Sequence, residues 1–245
     1  MMRRLSFLVY GLVAYVLFLG GFVYACAFMA NVVVPRGIDA EATTSFGTAM
    51  LVNTLLIGLF AVHHSVAARP TFKRWWTQFV PPPIERSTYV FVASLLWILL
   101  LWQWQPMPQR VWTIEHPVGR NAMWVLFALG WAAVPLVSFL IDHFDLFGLR
   151  QVWLYLRGKE YTQRPFMARS LYKWVRHPLM LGFLIAFWAT PDMSYGHLLF
   201  SIVVSAYTFV GITFEERDLL NILGEDYRAY RERTSMIVPM PRKGK

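Results

Sequence analysis

The chain has 245 residues, of which 57% are hydrophobic and only 15% are charged, and its net charge is +9. A soluble domain carries about 25% charged residues, so this composition excludes an ordinary soluble protein and indicates an integral membrane protein. The single cysteine, Cys26, excludes an intrachain disulfide.

Six apolar stretches predict six transmembrane helices. The first four contain no Asp, Glu, Lys or Arg, and each can cross a hydrocarbon core of about 30 Å as a helix. They cover residues 5–35, 42–68, 87–109 and 121–141. Two further stretches, 177–191 and 193–214, are separated by Asp192 next to Pro191, and the fifth is short unless its helix begins upstream near Ser170. We therefore expect an all-α protein built as a six-helix transmembrane bundle.

The basic residues orient this bundle. If the N-terminus is cytoplasmic, 20 of the 23 Lys and Arg residues fall in cytoplasmic segments, as the positive-inside rule requires. Those segments are 1–4, 69–86, 142–176 and 215–245. The pattern predicts two cytoplasmic termini and an active site that faces the cytoplasm, in what we expect to be a bacterial inner membrane. Because the same bias accounts for the net charge, we expect membrane lipid and no nucleic acid as a partner.

Ionisable residues at the ends of spans are the first candidates for chemistry in a membrane protein. His63 and His64 lie near the end of the second span, and Asp142 and His143 end the fourth. Each pair could be a polar helix end or could hold a base. Adjacent helical residues point about 100° apart and no metal-ligand motif is present, so we expect no metal. The amphipathic, aromatic segment that follows His143 predicts an interfacial helix before span five.

The sequence "RHPLMLG" places two cations at the start of the fifth span. Pro178 fits the first turn of a helix, where its missing N–H costs nothing. Arg176 and His177 then lie at the positive end of the helix, where free backbone N–H groups can hold an anion. Gly182, one turn later, allows a close approach to the helix.

A second cluster, "FEERDLLNILGEDYRAYRER", follows the sixth span. If residues 214–233 form one amphipathic C-terminal helix, its 3.6-residue period places a carboxylate on the same face as apolar and aromatic side chains. That face consists of Glu216, Leu220, Leu223, Tyr227 and Tyr230. A glutamate on the inward face needs a cationic partner, and spans five and six form a hairpin, so we expect Glu216 to meet Arg176 or His177.

Together these two motifs resemble the isoprenylcysteine carboxyl methyltransferase superfamily, which also includes phospholipid methyltransferases and NnrU-like proteins. The matching positions are Arg176, His177, Pro178, Gly182, Glu215, Glu216, Leu219, Gly224, Tyr227, Tyr230 and Pro239. The resemblance implies one domain over residues 1–245. Its N-terminal part, residues 1–141, contains four spans, and its C-terminal part, residues 142–245, binds S-adenosyl-L-methionine (SAM). It also implies roles: Arg176 could meet the SAM carboxylate, Glu215 or Glu216 its ammonium or ribose, and Tyr172, Tyr227 and Tyr230 its adenine. Met180 departs from the family, which often has tyrosine there.

The upstream half narrows the resemblance. "HHS" at 63–65 and "DHFDLFGLRQVWLYLRGKEYT" at 142–162 are similar to the bacterial methanethiol S-methyltransferases, which methylate methanethiol to dimethyl sulfide with SAM. A thiol is a poor nucleophile until it is deprotonated, so a histidine base is expected. The candidates, in order, are His64, His63, His143 held by Asp142, and His177. There are two alternatives. One is a methyltransferase that acts on a prenylcysteine carboxylate or a lipid amine, and the other is a non-enzymatic NnrU-like accessory protein.

Overall fold

The computed structural model describes residues 1–162 and 170–239. Within these residues the chain is mostly helical. The helices are α1 (Met2–Ala30), α2 (Phe46–Ala67), α3 (Pro70–Trp76), α4 (Pro82–Gln103), α5 (Pro117–Ile141), α6 (His143–Leu146), α7 (Leu149–Leu156), α8 (Pro178–Trp188), α9 (Tyr195–Leu223) and α10 (Glu225–Arg233). A short 3₁₀ helix, Ser170–Lys173, precedes α8, and the strands β1 (Arg110–Thr113) and β2 (Asp192–Ser194) pair as a two-stranded sheet.

Five of the described helices, α1, α2, α4, α5 and α9, are long and apolar enough to cross a membrane. The prediction of a helical integral membrane protein is confirmed at this level. The fifth predicted span is different, because α8 begins only at Pro178 and has 11 residues. At 1.5 Å per residue it is roughly 16 Å long, about half of a hydrocarbon core.

Local signals in the sequence set the ends of these helices. Asn31 adopts a left-handed conformation (φ 57°) and ends α1, donating its backbone N–H to carbonyls of the last turn. Ser45 caps α2 by accepting the N–H of Thr48 at 3.3 Å. Proline occupies the first turn of α3, α4 and α8, where no backbone hydrogen bond is lost.

The described residues of 1–109, 142–164 and 194–197 form one compact unit. Here α7 packs lengthwise along the first third of α1, with Tyr155 stacked on Phe7 and Val152 against Gly11. A Cβ atom at Gly11 would come within 2.8 Å of the Val152 side chain, so glycine is what permits this approach. The turn before α7 is held to α4, because the Arg86 guanidinium donates to the Leu146 carbonyl at 2.7 Å.

The described residues of 110–141, 165–193 and 198–245 form the second unit. Its core is the crossing of α5 and α8, where glycines and alanines replace larger side chains. A Cβ atom at Gly130 would lie only 2.6 Å from the Ala186 nitrogen. At one end of this unit Arg120 and Asp192 form a two-pronged ion pair, with the two Nη–Oδ distances at 2.7 and 3.1 Å.

The predicted single helix over 214–233 is wrong in one respect. Gly224 has φ 59° and separates α9 from α10, so the chain changes direction there. Glycine adopts positive φ without the steric cost that other residues meet. The inward face is nevertheless preserved across the break, since Glu216, Tyr227 and Tyr230 are all buried.

Candidate active site

The two charged motifs meet in the second unit. Arg176 donates from Nε to Oε1 of Glu216 at 2.7 Å, and Nε2 of His177 lies 3.1 Å from the same oxygen. Arg176, His177 and Glu216 are each only 5–6% exposed. Because an isolated buried charge is costly, this arrangement supplies the partner that the position of Glu216 requires.

The second carboxylate oxygen of Glu216 is engaged as well. Arg231, from α10, approaches Oε2 through its Nε at 3.3 Å. Glu215 is placed differently, since its side chain is 48% exposed and its Oε2 lies 3.7 Å from Nδ1 of His177. The neighbouring glutamates therefore have different surroundings: Glu216 is held inside the protein, whereas Glu215 presents its carboxylate to the outside of the cluster.

The start of α8 is covered by the C-terminal tail. Val175 forms a parallel bridge with Ser235, and the backbone N–H groups of Arg176 and His177 donate to the carbonyls of Ser235 and Met236 at 2.8 and 3.1 Å. The N–H groups of Arg176 and His177 themselves are therefore not free to hold an anion. Tail carbonyls already fill that role, and Pro178, the next residue, has no N–H to offer.

The guanidinium of Arg176 also reaches this tail. Its Nη1 donates to the carbonyl of Arg231 at 3.0 Å and to that of Thr234. Those carbonyls lie at the end of α10, where backbone acceptors lack helical partners and a cation is favourable. Arg176 thus connects three segments: the start of α8, the end of α9 through Glu216, and the end of α10.

Three tyrosines lie beside this charged cluster. The hydroxyl of Tyr230 donates to the backbone carbonyl of Tyr172 at 2.6 Å, and the Tyr227 and Tyr230 rings are 5.8 Å apart. Burial raises the pKa of Tyr172 and Tyr227, and it raises the pKa of Tyr230 to about 12. All three hydroxyls therefore stay protonated at neutral pH and can act as neutral hydrogen-bond donors.

Gly182 faces α5. A Cβ atom there would lie 3.1 Å from the carbonyl oxygen of Gly130 and from Cβ of Ala133. The close approach that the sequence predicted at Gly182 is thus an approach of two helices, and the structure shows a packing role for this glycine.

His63 and His64 lie near the end of α2, in the first unit. The His63 ring stacks on Tyr89 at 6.1 Å between centroids, and Tyr89 donates its hydroxyl to the His64 carbonyl at 3.3 Å. Arg86 lies over the same tyrosine ring, 4.8 Å from its centroid. Nδ1 of His63 is buried and has no hydrogen-bond partner among residues 1–162 and 170–239. A buried imidazole nitrogen without a partner is costly, which makes this atom a candidate for contact with a substrate.

His143 is also buried, and its Nε2 lies 2.7 Å from the hydroxyl of Tyr15 on α1. Burial lowers the pKa of His143, so the ring favours its neutral form. Asp142 immediately precedes α6 as its N-cap residue. The sequence predicted Asp142 as the partner of His143; the partner that the structure shows for Nε2 is Tyr15.

Comparison with known proteins adds to this geometry. The chain is 54% identical to methanethiol S-methyltransferase of Mycobacterium tuberculosis over 99% of both chains. It is 51% identical to methanethiol S-methyltransferase 1 of Bradyrhizobium diazoefficiens, over 95% of this chain and 82% of that one, and 45% identical to methanethiol S-methyltransferase of Crocosphaera subtropica, over 97% and 93%. The chain belongs to the methanethiol S-methyltransferase family. No family model and no solved structure matches it.

As a methanethiol S-methyltransferase family member, the chain contains site residues that the sequence motifs did not point to. Arg231 was missed although basic residues in the last turn of a helix are a known sign of carbonyl capping. Tyr15 was missed because only charged residues and histidines were considered at the spans, although a hydroxyl within a span normally needs an interior partner. Tail residues 234–236 carry no sequence signal, because they contribute through backbone atoms.

The family member shows no grouping of metal-binding side chains in the part that the structure describes. No set of three or more His, Cys, Asp or Glu residues lies close enough to hold an ion within residues 1–162 and 170–239.

Proposed function

We propose that this chain methylates methanethiol to dimethyl sulfide with SAM as methyl donor. The likeness to the enzyme of Mycobacterium tuberculosis over nearly the full length carries this proposal, because that enzyme's name states the substrate and the transferred group. The buried cluster around Glu216 supports it, since the motif that resembles a SAM site folds there into one ordered group of charges.

When bound, SAM supplies an electrophilic methyl group on a cationic sulfur, and transfer of that group to the thiol sulfur leaves the electron pair of the broken bond on the cofactor. The residues present fit such a ligand. Glu215 offers a partly exposed carboxylate for an ammonium group or ribose hydroxyls. Neutral Tyr172 and Tyr227 offer rings and hydroxyl donors for an adenine, and Tyr230, whose hydroxyl is bonded to the Tyr172 carbonyl, offers its ring.

We assign the other motif residues to the support of this site. Arg176 bonds to Glu216 and to the backbone carbonyl of Arg231. His177 lies between Glu215 and Glu216. Pro178 starts α8 and Gly182 packs it against α5. In this proposal Glu215 makes the direct polar contact, and the buried groups fix its position.

The chain must also accept the proton of the thiol. Among the predicted bases His64, His63 and His143, we favour His63, because its buried Nδ1 is the imidazole nitrogen for which the described residues supply no partner. His143, which follows Asp142, already forms a hydrogen bond through its Nε2 with the hydroxyl of Tyr15. A neutral imidazole in an apolar span can take a proton from the thiol and so generate the more nucleophilic thiolate.

For the membrane topology we propose six crossings, with both termini and the cofactor site on the cytoplasmic face of a bacterial inner membrane. The distribution of basic residues supports this orientation. Although α8 is short, the three residues 189–191 after it can add about 10 Å when extended. The Pro191 carbonyl accepts the N–H of Ile114 at 2.8 Å, and backbone groups that are paired within the protein in this way allow non-helical chain at membrane depth. We also propose one functional domain over 1–245, in which α7 packs along the cytoplasmic end of α1 instead of lying flat in the interface.

A panel of acceptors tests the proposed function. Purified protein in detergent is incubated with SAM and with methanethiol, a prenylated cysteine mimic or a lipid amine, and the demethylated cofactor is measured by mass spectrometry. We expect its release to require protein and methanethiol. Release with another acceptor alone would assign a different substrate, and no release with any acceptor would contradict an enzymatic role.

A further inference from the structure

The last described segment of the chain is fastened more firmly than its position near a terminus suggests. Terminal residues are poorly ordered unless something ties them down. Here Thr234, Ser235 and Ile237 are buried, and Ser235 and Met236 accept hydrogen bonds from the start of α8. Residues 234–237, named the tail segment, therefore behave as an added strand on residues 175–177.

Arg176 is the side chain that closes this attachment. Its Nε donates a hydrogen bond to Glu216, and its Nη1 donates to the backbone carbonyls of Arg231 and Thr234. Two of the three guanidinium nitrogens, Nε and Nη1, are thereby committed to the protein's own acceptors. In the resemblance to other methyltransferases, by contrast, the same arginine was expected to meet the carboxylate of the cofactor.

We propose that Arg176 is a positioning residue: it clasps the tail segment and the end of α10 onto the start of α8, and acts on the cofactor only through the groups that it holds. This inference rests on the proposed function, because it concerns how the same site is formed. The groups held in place are His177, beside Glu215, and Tyr230, whose hydroxyl fixes α10 to the 3₁₀ helix.

Replacement by lysine separates the two roles. An ammonium group keeps the charge that a cofactor carboxylate needs, yet it cannot reproduce the planar fork that reaches Glu216 and two carbonyls at once. If Arg176 is a clasp, R176K releases the tail segment. If Arg176 is a cofactor contact, R176K weakens cofactor binding with the tail segment still in place.

The solvent accessibility of position 235 shows whether the tail segment is attached, and it can be measured without an activity assay. Cys26 is the only cysteine of the chain, so a C26A/S235C protein carries one thiol at a buried position of the tail segment. Its rate of reaction with a maleimide measures how often the segment opens. The matched control is R228K, because Arg228 is an exposed arginine of α10 that pairs with Glu225.

We expect R176K to raise the labelling rate by about tenfold or more and to weaken SAM binding, measured by calorimetry, by about tenfold, with R228K changing neither. A chain ending at residue 233 should bind SAM more weakly than the full chain, and adding R176K to it should weaken binding by a smaller factor than in the full chain, because only the bonds to Glu216 and the Arg231 carbonyl remain to be lost. A chain ending at residue 239 should bind SAM like the full chain.

Unchanged labelling in R176K, or wild-type SAM affinity in the chain that ends at residue 233, would overturn the clasp. If R176K fails to fold, the two shortened chains still decide the question. Failure of the proposed function gives a separate result: labelling responds to R176K as expected, while no variant and no wild-type protein forms dimethyl sulfide.

Discussion

Arg176 and Glu216 lie 40 residues apart in the sequence and join in a buried ion pair with a 2.7 Å hydrogen bond. The pair links the start of α8 to the end of α9, and Arg231 and His177 complete the surroundings of the same carboxylate. The charge of Glu216 is therefore required by the fold as well as by any ligand, and this distinguishes it from its neighbour Glu215.

Glu216→Gln should destabilise the protein. The amide keeps the shape of the side chain but leaves Arg176 as a buried cation with no counter-ion close by, and breaking a buried pair in this way costs about 3 kcal/mol. Thermal unfolding in detergent should show a clearly lower midpoint, with Glu215→Gln as the control that unfolds within about 0.5 kcal/mol of the wild type. Equal midpoints for the wild type and Glu216→Gln would show that the pair contributes nothing to the fold.

Glu215→Gln should instead weaken the binding of SAM. Loss of one charge-assisted hydrogen bond corresponds to about tenfold or more in affinity. Calorimetry on the Glu215→Gln protein, which we expect to be fully folded, measures this effect. Unaltered affinity would exclude Glu215 as the direct contact.

His63→Asn should slow methyl transfer without loss of the fold. Removal of a general base typically lowers the rate by 10²-fold or more, so the product rate should fall by about that factor, while SAM affinity stays at the wild-type value. The same measurement on His64→Asn and His143→Asn serves as the comparison, with smaller losses expected in both. If His143→Asn proves the most damaging, the base lies at the contact with Tyr15.

Gly130→Ala should destabilise the crossing of α5 and α8. A methyl group there would lie 2.6 Å from the backbone nitrogen of Ala186, so the two helices must move apart, at a cost of about 1–3 kcal/mol. Gly211→Ala in α9 is the matched control, because a Cβ atom at that glycine meets no atom within 4 Å. We expect a lower unfolding midpoint for Gly130→Ala and an equal or higher one for Gly211→Ala, since alanine is the better helix former. Equal behaviour of the two variants would contradict the close crossing.

Asp192→Asn should remove a pH-dependent part of the stability. The hydrogen bond from Arg120 holds the pKa of the Asp192 carboxyl below its ordinary value of 3.8. A depressed folded-state pKa stabilises the protein above the unfolded-state value, and the stabilisation is lost as the pH falls through the folded-state value. Unfolding midpoints from pH 7 to pH 3 should therefore differ between wild type and Asp192→Asn at neutral pH and converge below about pH 4. A constant difference over that range would contradict the role of the ion pair.

The sequence predicted the membrane helices well because the hydrocarbon core requires long apolar stretches and leaves few alternatives. Four predicted spans match α1, α2, α4 and α5, and the sixth matches α9. It also predicted that Glu216 would meet Arg176 or His177, because a buried carboxylate needs a cation and the hairpin of spans five and six brings the two motifs together.

The remaining differences arise where backbone conformation decides. Gly224 ends α9 because a glycine can turn the chain, although the apolar period continues past it. The α8 helix starts late because Pro178 disfavours a helical conformation at the residue before it, His177, which has φ −125° and ψ 61°. The tail segment binds through carbonyl groups, which every residue has, so no residue pattern could indicate it.

The most direct test of the proposed activity is headspace gas chromatography with mass spectrometry on purified protein given methanethiol and SAM that carries a trideuterated methyl group. We expect dimethyl sulfide with three deuterium atoms, formed only when protein, methanethiol and SAM are all present. Absence of this labelled product, with SAM shown by calorimetry to bind, would contradict methyl transfer from SAM to methanethiol.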